Sequence, residues 1–148
     1  EAMVEAGAEF GLVDNGGDIA LVSDREVKIG IFAGDSSLSG RAAFLLPPQG
    51  EILGICTSSA TVGPSISFGI ADAVTVFSPD VAVADAWATA ICNRIKRDDT
   101  TIFDSLPTTK IQGVFALIDD AAIRWGDLPK IRRAKVDERL ITAGKRPF

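Results

Sequence analysis

The hydrophobic pattern alternates between short strand-like runs and one long helical stripe. Residues 1–10, EAMVEAGAEF, place Met3, Ala6 and Phe10 near one face and predict an opening helix. LVDNGGDIALV then reads as two short strands around a turn at Asn15, Gly16 and Gly17. KIGIFA, residues 28–33, predicts another strand, followed by the Gly/Ser loop GDSSLSG at 34–40, a strand near 41–46 and a turn at Pro47 and Pro48. Strands resume at 51–57 and, beyond a stretch crowded with small hydroxyls, at 71–77. Ser78 then reads as an N-cap with Pro79 at the first helical position, opening a helix that runs to about Arg97. Its core-facing stripe is Ala84, Trp87, Ala88, Ile91 and Ile95. GVFALIDDAAIRWG predicts a hairpin turning at Asp119 and Asp120, and KIRRAKVDERLI a closing basic amphipathic helix. Together these elements predict an α+β class, a mixed but mainly antiparallel sheet layered with helices.

Composition narrows the chemistry more than the architecture. The 148 residues suffice for one domain with a real core. The chain opens on a helix without an initiator Met, so the expectation is a single domain, residues 1–148, forming the C-terminal portion of a longer chain. No window approaches the roughly 18 apolar residues of a membrane span, and the start lacks the order of a signal peptide. The expected setting is therefore cytoplasmic, without a membrane. From Lys130 onward seven Lys or Arg stand against Asp137 and Glu138, a balance of +5 that leaves −10 on the remainder. That tail can meet an acidic partner, but a solvated helix explains it as well, and nucleic acid is not expected.

The chain has neither His nor Tyr. This removes the Ser/His/Asp triad, the histidine general base and every His-ligated metal site made by this chain alone. Cys56 and Cys92 stand far apart with no CxxC spacing, so zinc knuckles and redox dithiols are unsupported, and both read as small buried side chains. Cys56 is also a candidate nucleophile, although nothing near it in sequence would lower its pKa.

Three features carry candidate chemistry. In VAVADAWATAIC, Asp85 is the one charge amid apolar and small residues, and Thr89 follows it by one helical turn. A carboxylate at the border of a core stripe must be paired, hydrogen-bonded or bound to a cation. Two hard oxygens at i and i+4 suit Mg²⁺, whereas the plainer reading has Asp85 accepting main-chain amides or pairing with an Arg. The loop with Thr57, Ser58, Ser59, Thr61, Ser65 and Ser67 can offer amides and hydroxyls to an anion, or it is simply a structured loop without a GK[ST] signature. Asp72 either caps the entrance of the next strand or shares a cation with Asp85. Gly16 and Gly17 would let a flat ring come near the backbone, with Asp18 facing it.

In this order NGGDIAL, CTSS, AVTVFSP and ADAWATA resemble the ApbE family, the FAD:protein FMN transferases once associated with thiamine biosynthesis. GICTSSATVGPSISFGIADAVTV resembles a smaller, poorly characterised ApbE-related branch still more closely. The likeness runs from about residue 6 to 93, and GVFALIDDAAIRWGDLP is similar to that branch as well. The resemblance implies an ApbE-like fold and a FAD or FMN site with Mg²⁺. It would be held by Asp85 and Thr89 as ligands, by Gly16 and Gly17 as the glycine pair, and by Thr57 and Ser58 as the Thr-Ser pair. Where the transferases carry a His ahead of a DP-x-TG segment, this chain has GPSISFGIAD. The leading expectation is a cleft for a flavin nucleotide or another phosphate-bearing ligand with Mg²⁺. The alternatives are an active FMN transferase and a non-catalytic accessory protein in sulfur or cofactor metabolism, either of them able to form a homo-oligomer.

Overall fold

The structure, a computed structural model, describes residues 1–61 and 69–137. After α1 (Ala2–Glu5), the strands β1 (Phe10–Asn15) and β2 (Asp18–Ser23) form a hairpin with Asn15 opposite Asp18. Its two turn residues, Gly16 and Gly17, have φ of +69° and +106°, the left-handed values that a tight hairpin turn demands and glycine adopts at no steric cost. The chain continues through β3 (Val27–Gly30), β4 (Ala42–Leu46), β5 (Gln49–Ser58) and β6 (Ala73–Ser78) into α2 (Val81–Arg94). A 3₁₀ turn, Thr101–Ser105, leads to β7 (Gly113–Ile118), β8 (Ala121–Gly126) and β9 (Lys130–Arg133). Six strands pair in the order β1-β2-β5-β6-β7-β8 and three in the order β3-β4-β9. Every pairing is antiparallel, so the mainly antiparallel α+β class expected from the pattern holds.

Side-chain alternation splits the core into two slabs on the faces of the larger sheet. Cys56, Val74, Val76, Val114 and Ala116 face α2, where Ala84, Ala88, Ile91 and Cys92 close over them. Leu53, Ile55, Phe77, Phe115 and Leu117 face the smaller sheet and meet Phe44, Leu46 and Ile31. The result is three layers: helix, six-stranded sheet, three-stranded sheet. Buried on both faces, β6 and β7 have every residue out of solvent, which is why VFALI is an unbroken apolar run and AVTVF is interrupted only by Thr75. Phe44 sits edge-on to Phe77 and Phe115 at ring separations of 5.0 and 5.4 Å, the arrangement aromatic quadrupoles favour.

Four local expectations need correcting. The opening helix is a single turn that buries nothing: Gly7, at φ +88°, breaks the chain's direction, and Phe10 belongs to a strand. Ser78 does not cap α2. Its hydroxyl is drawn inward to the Lys110 carbonyl at 2.7 Å, and the cap is Asp80, whose carboxylate accepts from the amides of Ala82 (3.0 Å) and Val83 (3.2 Å). The helix ends at Arg94, where Ile95 turns extended (ψ 138°) and stays buried, short of Arg97. The expected basic closing helix begins instead as β9, pairing with β4, and residues 138–148 lie outside the described residues. In Lys-Ile-Arg-Arg only Ile131 is sheltered, packed against the core between the two sheets, while the three cations stay exposed.

Candidate site between the start of β2 and helix α2

Gly54 is what lets α2 lie so close to the larger sheet. A Cβ there would meet the Val81 Cα at 2.8 Å and the Ser78 carbonyl at 3.1 Å, so the helix start rests on bare strand backbone. Two residues on, Cys56 points to the same face, and its Sγ–H reaches the Val81 carbonyl at 3.5 Å. Opposite Cys56 in the ladder stands Asp18, the first residue of β2. Its carboxylate lies within electrostatic reach of the Cys56 thiol and of Asp85, one turn into α2.

This grouping sets the protonation states. Partial burial, and then the charge of Asp85, hold the Asp18 carboxyl above its ordinary value of 3.8, while the Cys56 hydrogen bond works the other way. Burial, followed by the charges of Asp18 and Asp85, pushes the Cys56 thiol up to about 12. At neutral pH Cys56 is therefore a protonated donor, which removes the thiolate that a nucleophile needs. Asp85 itself is exposed, contrary to the expectation of an acid embedded in an oily helix. The buried positions of α2 are Ala84, Ala88, Ile91 and Cys92, so position 85 sits one step off the buried stripe, on the open flank.

The remaining predicted site residues do not all gather here. Gly16 and Gly17 form the turn beside Asp18, the Gly17 carbonyl accepting from the Thr57 amide at 3.1 Å. The Thr57 side chain follows the alternation to the opposite face, toward the smaller sheet, and pairs with the Thr75 hydroxyl at 2.9 Å. Ser58, at the end of β5, falls on the α2 face. Ser59 accepts from the Thr61 amide at 3.1 Å, a local turn bond. Ser65 and Ser67 lie outside the described residues. Thr89 is exposed on α2, one turn past Asp85. Gly69 rests directly against the Cys92 carbonyl at the end of α2, so this part of the glycine-rich stretch serves close packing.

Asp72 belongs to a different cluster. Its carboxylate accepts the Asp119 amide at 2.9 Å, bracing the β7–β8 turn, where Asp119 and Asp120 both take positive φ (47° and 65°). Arg97 donates to the Asp119 carboxylate at 3.1 Å, and Asp120 accepts from the Ser36 hydroxyl (2.9 Å) and the Ser37 amide (2.7 Å). Those two bonds hold the Asp120 carboxyl below its ordinary range. Among the described residues no group of three or more His, Cys, Asp or Glu is placed to hold a metal ion. Asp18 and Asp85 lie within electrostatic reach of each other at this rim, and Thr89 follows Asp85 by one turn on α2. Pattern reading named each of these residues. It missed that Asp18 and Cys56 face each other, because that depends on the register between β2 and β5, which are not consecutive.

No helix among the described residues is long and apolar enough to cross a membrane. The family model described as AbpE bacteria matches residues 1–119. The chain is 79% identical over 139 residues to a UPF0280 protein of Methanoculleus marisnigri, covering 94% of this chain and 57% of that protein. It is 58% identical over 144 residues to a UPF0280 protein of Methanosphaerula palustris, covering 97% and 61%, and 56% identical over 146 residues to one of Methanoregula boonei, covering 98% and 61%. The chain therefore spans about three fifths of the length of these curated relatives. These findings correct the resemblance drawn from NGGDIAL, CTSS and ADAWATA: neither the matching model nor these relatives carry the name of the FAD:protein FMN transferases, so membership in the ApbE family does not stand. With four fifths of its length matched by one family model, the chain belongs to the family described as AbpE bacteria.

Proposed function

We propose that the rim between the start of β2 and the second turn of α2 binds Mg²⁺ and, through it, a phosphate-bearing ligand such as a flavin nucleotide. The observation that carries this reading is that two carboxylates from separate elements lie within electrostatic reach of each other beside the Cys56–Asp18 rung, Asp18 half-sheltered and Asp85 open to solvent. Their mutual repulsion is a standing cost that a divalent cation between them would convert into attraction. The donor set fits Mg²⁺: two carboxylates and the Thr89 hydroxyl are hard oxygens, and an ion of that kind keeps several positions for water and phosphate oxygens. When bound, it would neutralise phosphate charge at this rim. Cys56, opposite Asp18 in the ladder, keeps its proton and adds no charge to the rim. Gly16 has open space where a Cβ would stand, so a flat ring can approach the turn backbone beside Asp18.

Calorimetric titration of FAD, FMN and ADP, each with and without Mg²⁺, tests the reading. The expected result is binding that requires Mg²⁺, with the dependence lost in Asp85→Asn and in Asp18→Asn. At a Mg²⁺-ligand concentration of about 100 Kd, thermal denaturation should register roughly 2.7 kcal/mol of stabilisation by mass action. Asp72→Asn, in the other carboxylate cluster, should leave the Mg²⁺ requirement in place. Binding indifferent to Mg²⁺, or no binding of any of the three nucleotides, would sink the proposal.

A further inference from the structure

The opposite side of the molecule carries a second electrostatic feature, on the smaller sheet. An open hollow of about 310 Å³ is lined by Gly40, Arg41, Arg133, Ala134 and Lys135, three cations and no carboxylate. All three cations are exposed, and among the described residues none of them is in an ion pair; the two pairs there join Arg25 to Asp24 and Arg97 to Asp119. The backbone beneath is tied down. The Ala134 amide donates to the Arg41 carbonyl at 3.0 Å, the Val136 amide to the Gly40 carbonyl at 3.0 Å, and the Gly40 amide to the Ile31 carbonyl at 2.9 Å. These bonds carry the β4–β9 ladder past its last pair, Ala42 opposite Arg133, so the cations stand on a braced floor.

Like charges gathered in one hollow repel one another, and the chain as a whole is acidic at −5, so this concentration runs against the general balance. We infer that the hollow between the Gly40–Arg41 turn and the strand running from Arg133 to Lys135 is a binding site for a small anion carrying phosphate groups. Its size is at the small-molecule end of the pocket range rather than that of a docking face for a protein. Two guanidinium groups supply planar forks that match phosphate oxygens, and Lys135 adds a mobile point charge. Because the backbone bearing them is already hydrogen-bonded, little main-chain ordering remains to oppose binding. The inference does not rest on the Mg²⁺ rim, which lies on the other face of the larger sheet.

Titration of the protein with inorganic pyrophosphate in the absence of Mg²⁺ tests it. The expected result is saturable one-to-one binding that weakens as salt rises, with the Arg41→Gln/Arg133→Gln double variant weaker by about tenfold or more. Lys110→Gln, an exposed cation elsewhere, should bind as the parent does, and so should Asp85→Asn, which separates this site from the rim. Circular dichroism should be unchanged in the double variant, since both side chains are exposed. Absence of saturable binding, an unaltered affinity in the double variant, or an equal loss in Lys110→Gln would each overturn the inference.

Discussion

The two faces of the six-stranded sheet are built from the same alternating strands yet end in different chemistry. Toward the smaller sheet, Phe44, Phe77 and Phe115 interlock edge to face, and the polar pair Thr57 and Thr75 satisfies itself. Toward α2 the packing combines Ala84, Ala88 and Ala116, small residues that bring a helix close, with Ile91 and, from the 3₁₀ turn, Ile102, Phe103 and Leu106. A sheet laid on a sheet covers a broad area, whereas one helix covers a strip about 10 Å wide. Beyond that strip β2 lies partly open, and there Asp18 and Asp85 can hold charge. Where a layer is wide the sheet becomes core; where it is narrow a rim is left for chemistry.

That contrast can be broken most severely from the aromatic side. Phe44→Ala should cost about 3–5 kcal/mol in urea denaturation, since it removes both ring contacts and leaves a cavity between two sheets that cannot collapse on it. A cost below about 1 kcal/mol would mean that the smaller sheet is loosely attached. An intermediate effect is expected at the hydroxyl pair of half-buried Thr57 and buried Thr75. Thr57→Val should lose about 1–3 kcal/mol by leaving the Thr75 hydroxyl without a partner, and the double change with Thr75→Val should recover most of it. Equal losses in the single and double variants would deny that the hydroxyls matter to one another.

The smallest effect belongs to the open rim and has the opposite sign. The folded Asp18 carboxyl lies above 3.8, so ionising it costs stability once the pH exceeds that raised value. Asp18→Asn should therefore make the protein slightly more stable at pH 7 without Mg²⁺. The gain should shrink as pH falls through the raised value and vanish below 3.8, where the parent is protonated in both states. Melting curves between pH 3 and 7 would check this. A variant less stable than the parent at neutral pH would mean that Asp18 is held by favourable partners and is not strained by its neighbour.

Local signals in the chain were sufficient for the hairpins and for the class. Asn-Gly-Gly and Asp-Asp announce tight turns because glycine, and to a lesser degree aspartate, adopt positive φ. The mainly apolar runs at β6 and β7 announce strands, and only the layering shows that both of their faces are buried. The helical stripe of α2 was legible because its period is intrinsic to the residues. KIRR was harder, since four residues with a basic, half-apolar pattern suit a solvated helix equally until β4 offers a ladder for them to complete.

What the chain determined by itself is thus the set of elements and the residues that could do chemistry, since turn geometry and periodicity act over a few neighbouring positions. Which of those residues meet was decided only by tertiary structure. Asp18 reaches Cys56 through the β2–β5 register, Thr57 is carried away from Asp85 by the alternation of a single strand, and Asp72 is claimed by a turn 47 residues downstream. A shift of one residue in register would reverse the first two of these assignments, because side chains on a strand change face at each step.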